Sequence, residues 1–446
     1  MGERGNRVPY SDQSHSHAYS NAGTAEHSLW VKPRTAQHIL AFSLFALLAS
    51  PGYATVRDQA KRIHERLTGI PPTNQALEHI VTKINSQNKV EAAKAILNNT
   101  DGHYAEGSKN FYNVTLKNLV TPWTNEEQTV FAPLNDYTAT VIGMIRDDED
   151  FRKVLYDDII YTGTITPAYN GSSNAHYEAL ETQDIDLSKN TNLVRQNQSV
   201  VFGLTTDATA GIMTSRAAAS AFFIDGTNRA MFRFTLLNHL CYDLEQLKDN
   251  TRPTDRIRQD VSRSPGGDSR IFINNCSGCH TGMDPMAQAF AYYDYDESTG
   301  RLVYSENSVQ AKYHINDETF PYGFRTPDDN WSNYWRRGAN SWLGWGTSSV
   351  NPITIDTVTG FSHGKGAKSL GEELANSDAF ARCQVKKVFK TVCLREPQVA
   401  PADPGKTVNR DDTTKFEALL TSFKSSGYKM KNLFAETAAS CSGDED

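Results

Sequence analysis

The stretch NNCSGCHTGMDP, residues 274–285, contains Cys276 and Cys279, separated by two residues, and then His280. C-x-x-C-H is the pattern by which c-type haem is attached to proteins. Two thiols about one helical turn apart can each form a thioether with one of the two vinyl groups of a haem. The histidine then lies beneath the iron and can ligate it, while its other ring nitrogen usually donates to a backbone carbonyl. The stretch therefore predicts one covalent haem c on Cys276 and Cys279, with His280 as proximal ligand.

Three other interpretations of the motif stay open. A C-x-x-C pair can be a redox-active dithiol, although no βαβ pattern surrounds this one. It can be half of a zinc site, although the chain has no second C-x-x-C and no H-x-x-x-H. It can also arise by chance. Because the motif occurs once in 446 residues, a multi-haem wire within one chain is excluded, and the chain is less similar to di-haem peroxidases and di-haem rubber oxygenases.

The residues that follow the motif carry a family resemblance. CSGCHTGMDPMAQAFAYYDYD, residues 276–296, is similar to the haem segment of the planctomycete-type cytochrome c families, whose roles are largely uncharacterised. Met283–Pro285 match the Ile/Met-Asp-Pro of that segment, whereas Ala287 and Ala291 replace its usual Gly and Glu. Upstream, LTGIPPTNQALEHI at residues 67–80 resembles the LTG-x-P-P segment of the same proteins. The resemblance implies an exported haem protein and does not supply a substrate.

The first 54 residues resemble an export signal with a long polar extension over residues 1–30. Lys32 and Arg34 supply positive charge, HILAFSLFALLAS forms an apolar run, and PGYA ends it before Thr55. The run is shorter than the roughly 20 residues that a bilayer-spanning helix needs. We therefore expect an exported bacterial protein of the periplasm or cell exterior, with no transmembrane segment in the mature chain. That compartment is also where c-type haem is attached.

Composition and periodicity predict a mainly α fold. The formal net charge of −7 argues against a nucleic-acid-binding surface, which normally needs a basic face. Helical patterns fill residues 55–160, a Thr-, Asn- and Gly-containing stretch at 161–206 predicts a loop-rich connection, and helices resume after it. We expect an N-terminal helical domain and, over residues 207–446, a cytochrome c-like mono-haem domain with loop-rich insertions. The chain has no internal repeat.

Four further cysteines are candidates for disulfides in an oxidising compartment: Cys241, Cys383, Cys393 and Cys441. Cys383 and Cys393 are ten residues apart in one helical pattern, which separates them by roughly 15 Å. A disulfide needs Cα atoms within about 7 Å, so these two cannot bond while the helix persists. We expect Cys241 to pair with one of them and Cys441 with the other, with buried free thiols as the alternative.

The sixth ligand of the iron is the least defined part of the site. Met283 and Met286 are too close to His280 in sequence to reach the opposite haem face easily. Of the downstream candidates, His363 ranks first, because it lies in the predicted flexible loop GFSHGKG, where glycines allow close approach of the backbone. Met430 ranks second and His314 third. An iron without a protein sixth ligand is an equal alternative.

One-electron transfer to a redox partner protein is the first functional hypothesis. The length of the chain around a single haem also suggests a haem-dependent oxidoreductase that acts on an organic or polymeric substrate, or a haem-bearing module of a cell-surface assembly. A six-coordinate low-spin spectrum favours electron transfer, whereas a five-coordinate iron that binds cyanide or peroxide favours the enzyme. Co-purification with partner proteins favours the assembly module. No hydrolase motif is present.

Overall fold

Helices make up most of the described chain, which confirms the prediction of a mainly α fold. The computed structural model describes residues 54–315, 317–346, 353–399 and 411–443. The predicted export signal up to residue 53 lies outside these ranges. In the part that the structure describes, every helix is too short or too polar to cross a bilayer.

The secondary structure is numbered in chain order. The α-helices are α1 (Val56–Thr68), α2 (Asn74–Ser86), α3 (Lys89–Asn98), α4 (Ala105–Asn110), α5 (Leu116–Val120), α6 (Asp136–Arg146), α7 (Ala175–Thr182), α8 (Gln198–Phe202), α9 (Arg216–Phe222), α10 (Arg229–Thr235), α11 (Ser269–Ile271), α12 (Ser277–Ala287), α13 (Gly366–Ala375), α14 (Asp378–Cys393), α15 (Thr413–Ser425) and α16 (Met430–Ser440). The π-helical turns are Phe111–Thr115, Leu236–Leu240 and Phe272–Cys276. The 3-10 turns are Thr121–Thr124, Phe151–Leu155, Thr206–Ala208, Gly211–Thr214, Leu244–Leu247, Pro265–Gly267, Gln288–Phe290, Ala311–Tyr313, Tyr334–Arg336 and Gly338–Leu343. The strands are β1 (Ile160–Gly163), β2 (Leu193–Gln196), β3 (Tyr293–Asp296), β4 (Arg301–Tyr304), β5 (Asn330–Asn333), β6 (Thr354–Ile355) and β7 (Ser362–Lys365).

The first helices of the described chain pack against the last ones. A capping box starts α1: the Thr55 hydroxyl accepts from the Asp58 N–H at 3.2 Å, and the Asp58 carboxylate accepts from the Thr55 N–H at 3.1 Å. Gly69 ends this helix with a left-handed φ of 73°. α1, α2 and α3 pack on one another, and α16 packs on α1, α3, α14 and α15. The two ends of the described chain therefore share one helical body.

The segment predicted to be loop-rich, residues 161–206, also contains regular structure. β1 pairs antiparallel with β2, with Ile160 opposite Gln196. The short helices α7 and α8 lie in the same segment. Helices from both sides of it contribute to one buried apolar core that extends from Ala60 to Cys441. The division of the chain into domains at this segment stays a prediction.

The disulfide prediction is confirmed. Cys383 and Cys393 both lie in α14 and do not bond to each other. Cys241 bonds to Cys383 and Cys393 bonds to Cys441, with Cα–Cα distances of 5.3 and 5.6 Å. The first bond joins α14 to the end of the Leu236–Leu240 turn, and the second ties the end of α16 to the end of α14.

A backbone feature at the end of α14 leads to a stability prediction. Leu394 has a left-handed φ of 59°, and 74% of its surface is exposed. The left-handed region costs an L-residue roughly 1–2 kcal/mol, whereas glycine adopts it freely but loses more chain entropy on folding. We expect Leu394→Gly to raise the free energy of unfolding by about 0.5–1 kcal/mol in urea denaturation. Leu394→Ala, which keeps the Cβ, should give no such gain, and equal stabilisation by both variants would contradict this explanation.

A three-stranded antiparallel sheet, in the order β5–β7–β6, lies beside the helix that carries the cysteine motif. α12 packs against β5. The buried carboxylate of Glu373 on α13 connects β5, β7 and the turn Tyr334–Arg336. It accepts hydrogen bonds from Asn333 at 2.8 Å, from Ser362 at 2.6 Å and from Arg336 at 2.6 and 2.8 Å. A buried carboxylate is stable when it is paired and hydrogen-bonded in this way. Glu373 therefore fixes the sheet that supports α12.

Candidate haem-attachment site

The C-x-x-C-H motif lies where the π-helical turn Phe272–Cys276 passes into α12. Asp249 and Asn250 lie beside the first turn of this helix and hydrogen-bond to it. Asp249 N–H donates to the Gly278 carbonyl at 3.0 Å, and the Thr281 hydroxyl donates to the Asp249 carbonyl at 3.0 Å. The Ser277 hydroxyl donates to the Asn250 side chain at 3.0 Å. These hydrogen bonds hold the start of α12, which carries the motif, against residues 249–250.

Cys276 and Cys279 are the two free cysteines of the chain, and both are partly buried. The Cys279 sulfur lies 3.6 Å from the Leu244 carbonyl oxygen. Burial raises the pKa of the Cys279 thiol above its ordinary value, and the nearby Glu245 carboxylate adds to the effect. A redox-active dithiol relies instead on a lowered thiol pKa. The raised pKa of Cys279 is therefore not typical of a thioredoxin-like nucleophile.

Apolar side chains lie beside Cys276. Ile257, Val261 and Phe272 form a small buried cluster, separate from the main core, against which Cys276 packs. Ile271 at the end of α11 and Ile273 on the following π-helical turn are 40% and 54% exposed. A porphyrin is a large apolar ring, so apolar surface next to Cys276 fits the requirements of such a group.

His280 presents one ring nitrogen and has the other one engaged. Its Nδ1 lies 3.1 Å from both Oδ1 and Oδ2 of Asp284, one helical turn further along α12. The side chain of His280 is 19% exposed, and that of Asp284 is fully buried. Nε2 has no hydrogen-bond partner among the residues that the structure describes. The partner of Nδ1 is thus a carboxylate, whereas the histidine of a C-x-x-C-H motif is expected to donate to a backbone carbonyl.

Asp284 is held by two arginines from other parts of the chain. Arg229 Nε and Nη2 donate to its two oxygens at 2.7 and 3.1 Å, and the Arg258 N–H donates to Oδ2 at 3.3 Å. Arg229 also makes a bidentate pair with Asp260 at 2.7 and 2.8 Å. Burial alone would raise the pKa of Asp284, but the Arg229 and Arg258 guanidiniums outweigh it and hold the pKa well below its ordinary value.

Close packing against Trp335 positions the middle of α12. A Cβ added at Gly282 would lie 2.1 Å from Cε2 and Nε1 of the Trp335 indole, which is fully buried. Alanine normally stabilises a helix by about 1 kcal/mol relative to glycine. Forcing a methyl group into a packed core costs about 1–3 kcal/mol, and the buried ring cannot move aside. We expect Gly282→Ala to lower the free energy of unfolding by about 1–3 kcal/mol in urea denaturation.

The double variant Gly282→Ala/Trp335→Phe provides the control for this packing argument. The smaller Phe ring relieves the contact, so the double variant should be less destabilised than the sum of the two single variants. Additive losses would contradict a steric clash between positions 282 and 335.

The three candidate distal ligands lie on different elements. His363 is on β7 opposite Ser332, whose hydroxyl lies 2.7 Å from its Nδ1. The predicted flexible loop is therefore wrong at this position: strand pairing with β5 orders the glycine-containing segment. Met430 is buried at the start of α16. His314 follows the turn Ala311–Tyr313, and its Nδ1 lies 3.3 Å from Asp317. Ligation of the iron by any of the three stays a prediction.

The sequence interpretation overlooked the residues around Asp284. The spacing of four between His280 and Asp284 places both on one helix face, so this pair could have been found from the motif. Arg229, Arg258 and Asp260 lie outside the motif, and no local pattern connects them to it. Their contacts around Asp284 are therefore apparent only in the folded structure.

Among the residues that the structure describes, no cluster of three or more His, Cys, Asp or Glu side chains could hold a metal ion. Comparison of the chain with protein-family models, curated proteins and solved structures finds no match.

Proposed function

We propose that this protein is an exported mono-haem c-type cytochrome of the bacterial periplasm or cell exterior, which transfers one electron at a time to or from a partner protein. In this proposal residues 207–446 include a cytochrome c-like haem domain. The observation that carries the proposal is the distribution of the cysteines. Four of the six are in disulfides, and the two that stay free are those of the C-x-x-C-H motif.

Four further observations support this assignment. The His280 ring has an engaged Nδ1 and an Nε2 without a partner among the described residues, which suits a nitrogen that binds iron. Apolar side chains adjoin Cys276. The haem segment resembles that of the planctomycete-type cytochrome c families, and two disulfides agree with an oxidising compartment.

In this proposal, the motif residues and the apolar side chains beside Cys276 would have separate roles. Cys276 and Cys279 would hold the haem through thioether bonds, and His280 would ligate the iron. Ile257, Val261 and Phe272 would exclude water from the attachment side. When bound, the haem supplies a reversible ferric–ferrous change, whose potential depends on axial ligation, burial and hydrogen bonding to the ligands.

The proposal is tested on the full chain, expressed in a bacterium that attaches haem to exported proteins. We expect one haem per chain that survives acid–acetone extraction, a corresponding increase in mass, and a single reversible one-electron wave in potentiometric titration. An exported, folded protein without covalent haem would overturn the proposal. A six-coordinate low-spin spectrum would support electron transfer, and a five-coordinate iron that binds cyanide readily would instead support the haem-dependent oxidoreductase.

A further inference from the structure

The hydrogen bond at Nδ1 decides which nitrogen of His280 is available for a metal. An ionised carboxylate can only accept hydrogen bonds, so the proton of the ring lies on Nδ1 when it faces Asp284. In the neutral ring, Nε2 then carries the free lone pair. The ring is only 19% exposed, and Asp284 lies one turn further along the same helix, so local packing and this contact hold the ring in its orientation.

The carboxylate of Asp284 has little freedom to rotate away. Two nitrogens of Arg229 and the backbone N–H of Arg258 donate to it. Arg229 is itself fixed by the bidentate pair with Asp260, so its guanidinium bridges two carboxylates. Bidentate arginine–carboxylate pairs are geometrically specific and strong. The acceptor for His280 is therefore rigid, anionic and buried.

We propose that Asp284 is a positioning residue that fixes the tautomer and orientation of His280 and lowers the reduction potential of the haem iron. The inference rests on the proposed function. An anionic acceptor makes the imidazole a stronger electron donor than a backbone carbonyl does. A stronger donor stabilises ferric relative to ferrous iron and so lowers the potential. Within this cluster Asp284 is the residue that contacts His280, and Arg229, Arg258 and Asp260 hold it in place.

The test compares two isosteric variants of the holoprotein, Asp284→Asn and Asp260→Asn. Each removes one negative charge from a partner of Arg229, but only Asp284 contacts His280. We expect Asp284→Asn to raise the midpoint potential clearly more than Asp260→Asn does, with covalent haem retained in both. Equal shifts in the two variants, or no shift in Asp284→Asn, would overturn the inference.

A measurement on the wild type covers the case in which Asp284→Asn does not fold. The iron–histidine stretching vibration is recorded by resonance Raman after photolysis of the ferrous carbon monoxide complex. We expect a higher frequency than in a c-type cytochrome whose histidine donates to a backbone carbonyl, and a frequency no higher would refute the role of Asp284. Wild-type protein without covalent haem would overturn the proposed function together with this inference, whereas haem-loaded wild type with a negative result overturns the inference alone.

Discussion

Replacement of both Cys276 and Cys279 by alanine is expected to reduce covalent haem from one per chain to none. A thioether bond needs the sulfur of each cysteine, and no other free thiol exists in the chain. Haem that still enters the site would be held by non-covalent contacts alone and would leave on acid–acetone extraction. The measurement is the mass of the intact protein together with haem absorbance before and after extraction.

Two comparisons make this result specific. The apo form of the double variant should be only slightly less stable than the apo wild type, because both cysteines are only partly buried and neither belongs to a disulfide. Each single variant should keep one thioether and one unreacted vinyl group, which moves the pyridine haemochrome band to longer wavelength. Covalent haem in the double variant would show that the motif is not the attachment site.

Loss of the Cys241–Cys383 disulfide is expected to cause the largest change in stability. The bond closes a loop with a sequence separation of 142 residues. In the chain-entropy account, a loop of that size restricts the unfolded chain by about 5 kcal/mol, near the upper end of the values observed for native disulfides. We therefore expect Cys241→Ala/Cys383→Ala to lower the free energy of unfolding by several kcal/mol in guanidinium denaturation.

The Cys393–Cys441 bond is the matched control, because its sequence separation is only 48 residues. Cys393→Ala/Cys441→Ala should cost about 0.5–1 kcal/mol less in the same entropic account, since the loop term grows with the logarithm of length. Both double variants are still expected to carry covalent haem when they fold, because Cys276 and Cys279 of the proposed attachment site are untouched. A smaller loss for the 241–383 pair than for the 393–441 pair would contradict the loop-length explanation.

Local chemistry could be predicted from the sequence because it depends on residues that are close in the chain. The spacing of Cys276, Cys279 and His280 needs only one helical turn to bring the three side chains together. The helical pattern around Cys383 and Cys393 excluded a bond between them for the same reason. The end of α1 at Gly69 is likewise a local feature, because a glycine that adopts a left-handed φ ends a helix without contacts from distant residues.

Only the tertiary structure decided the features that join distant segments. Two disulfide pairings were compatible with the sequence. Cys241 bonds to Cys383 because the Leu236–Leu240 turn packs on α14, and Cys393 then bonds to Cys441. The tertiary structure ordered His363 on a strand, since hydrogen bonds from β5 outweigh the local preference of its glycine neighbours. It also brought Arg229 and Arg258 to Asp284. The His280–Asp284 pair, spaced i, i+4 on one helix, is therefore part of a buried charged cluster. Burial and long-range pairing are properties of the packed chain, and no short window of sequence contains them.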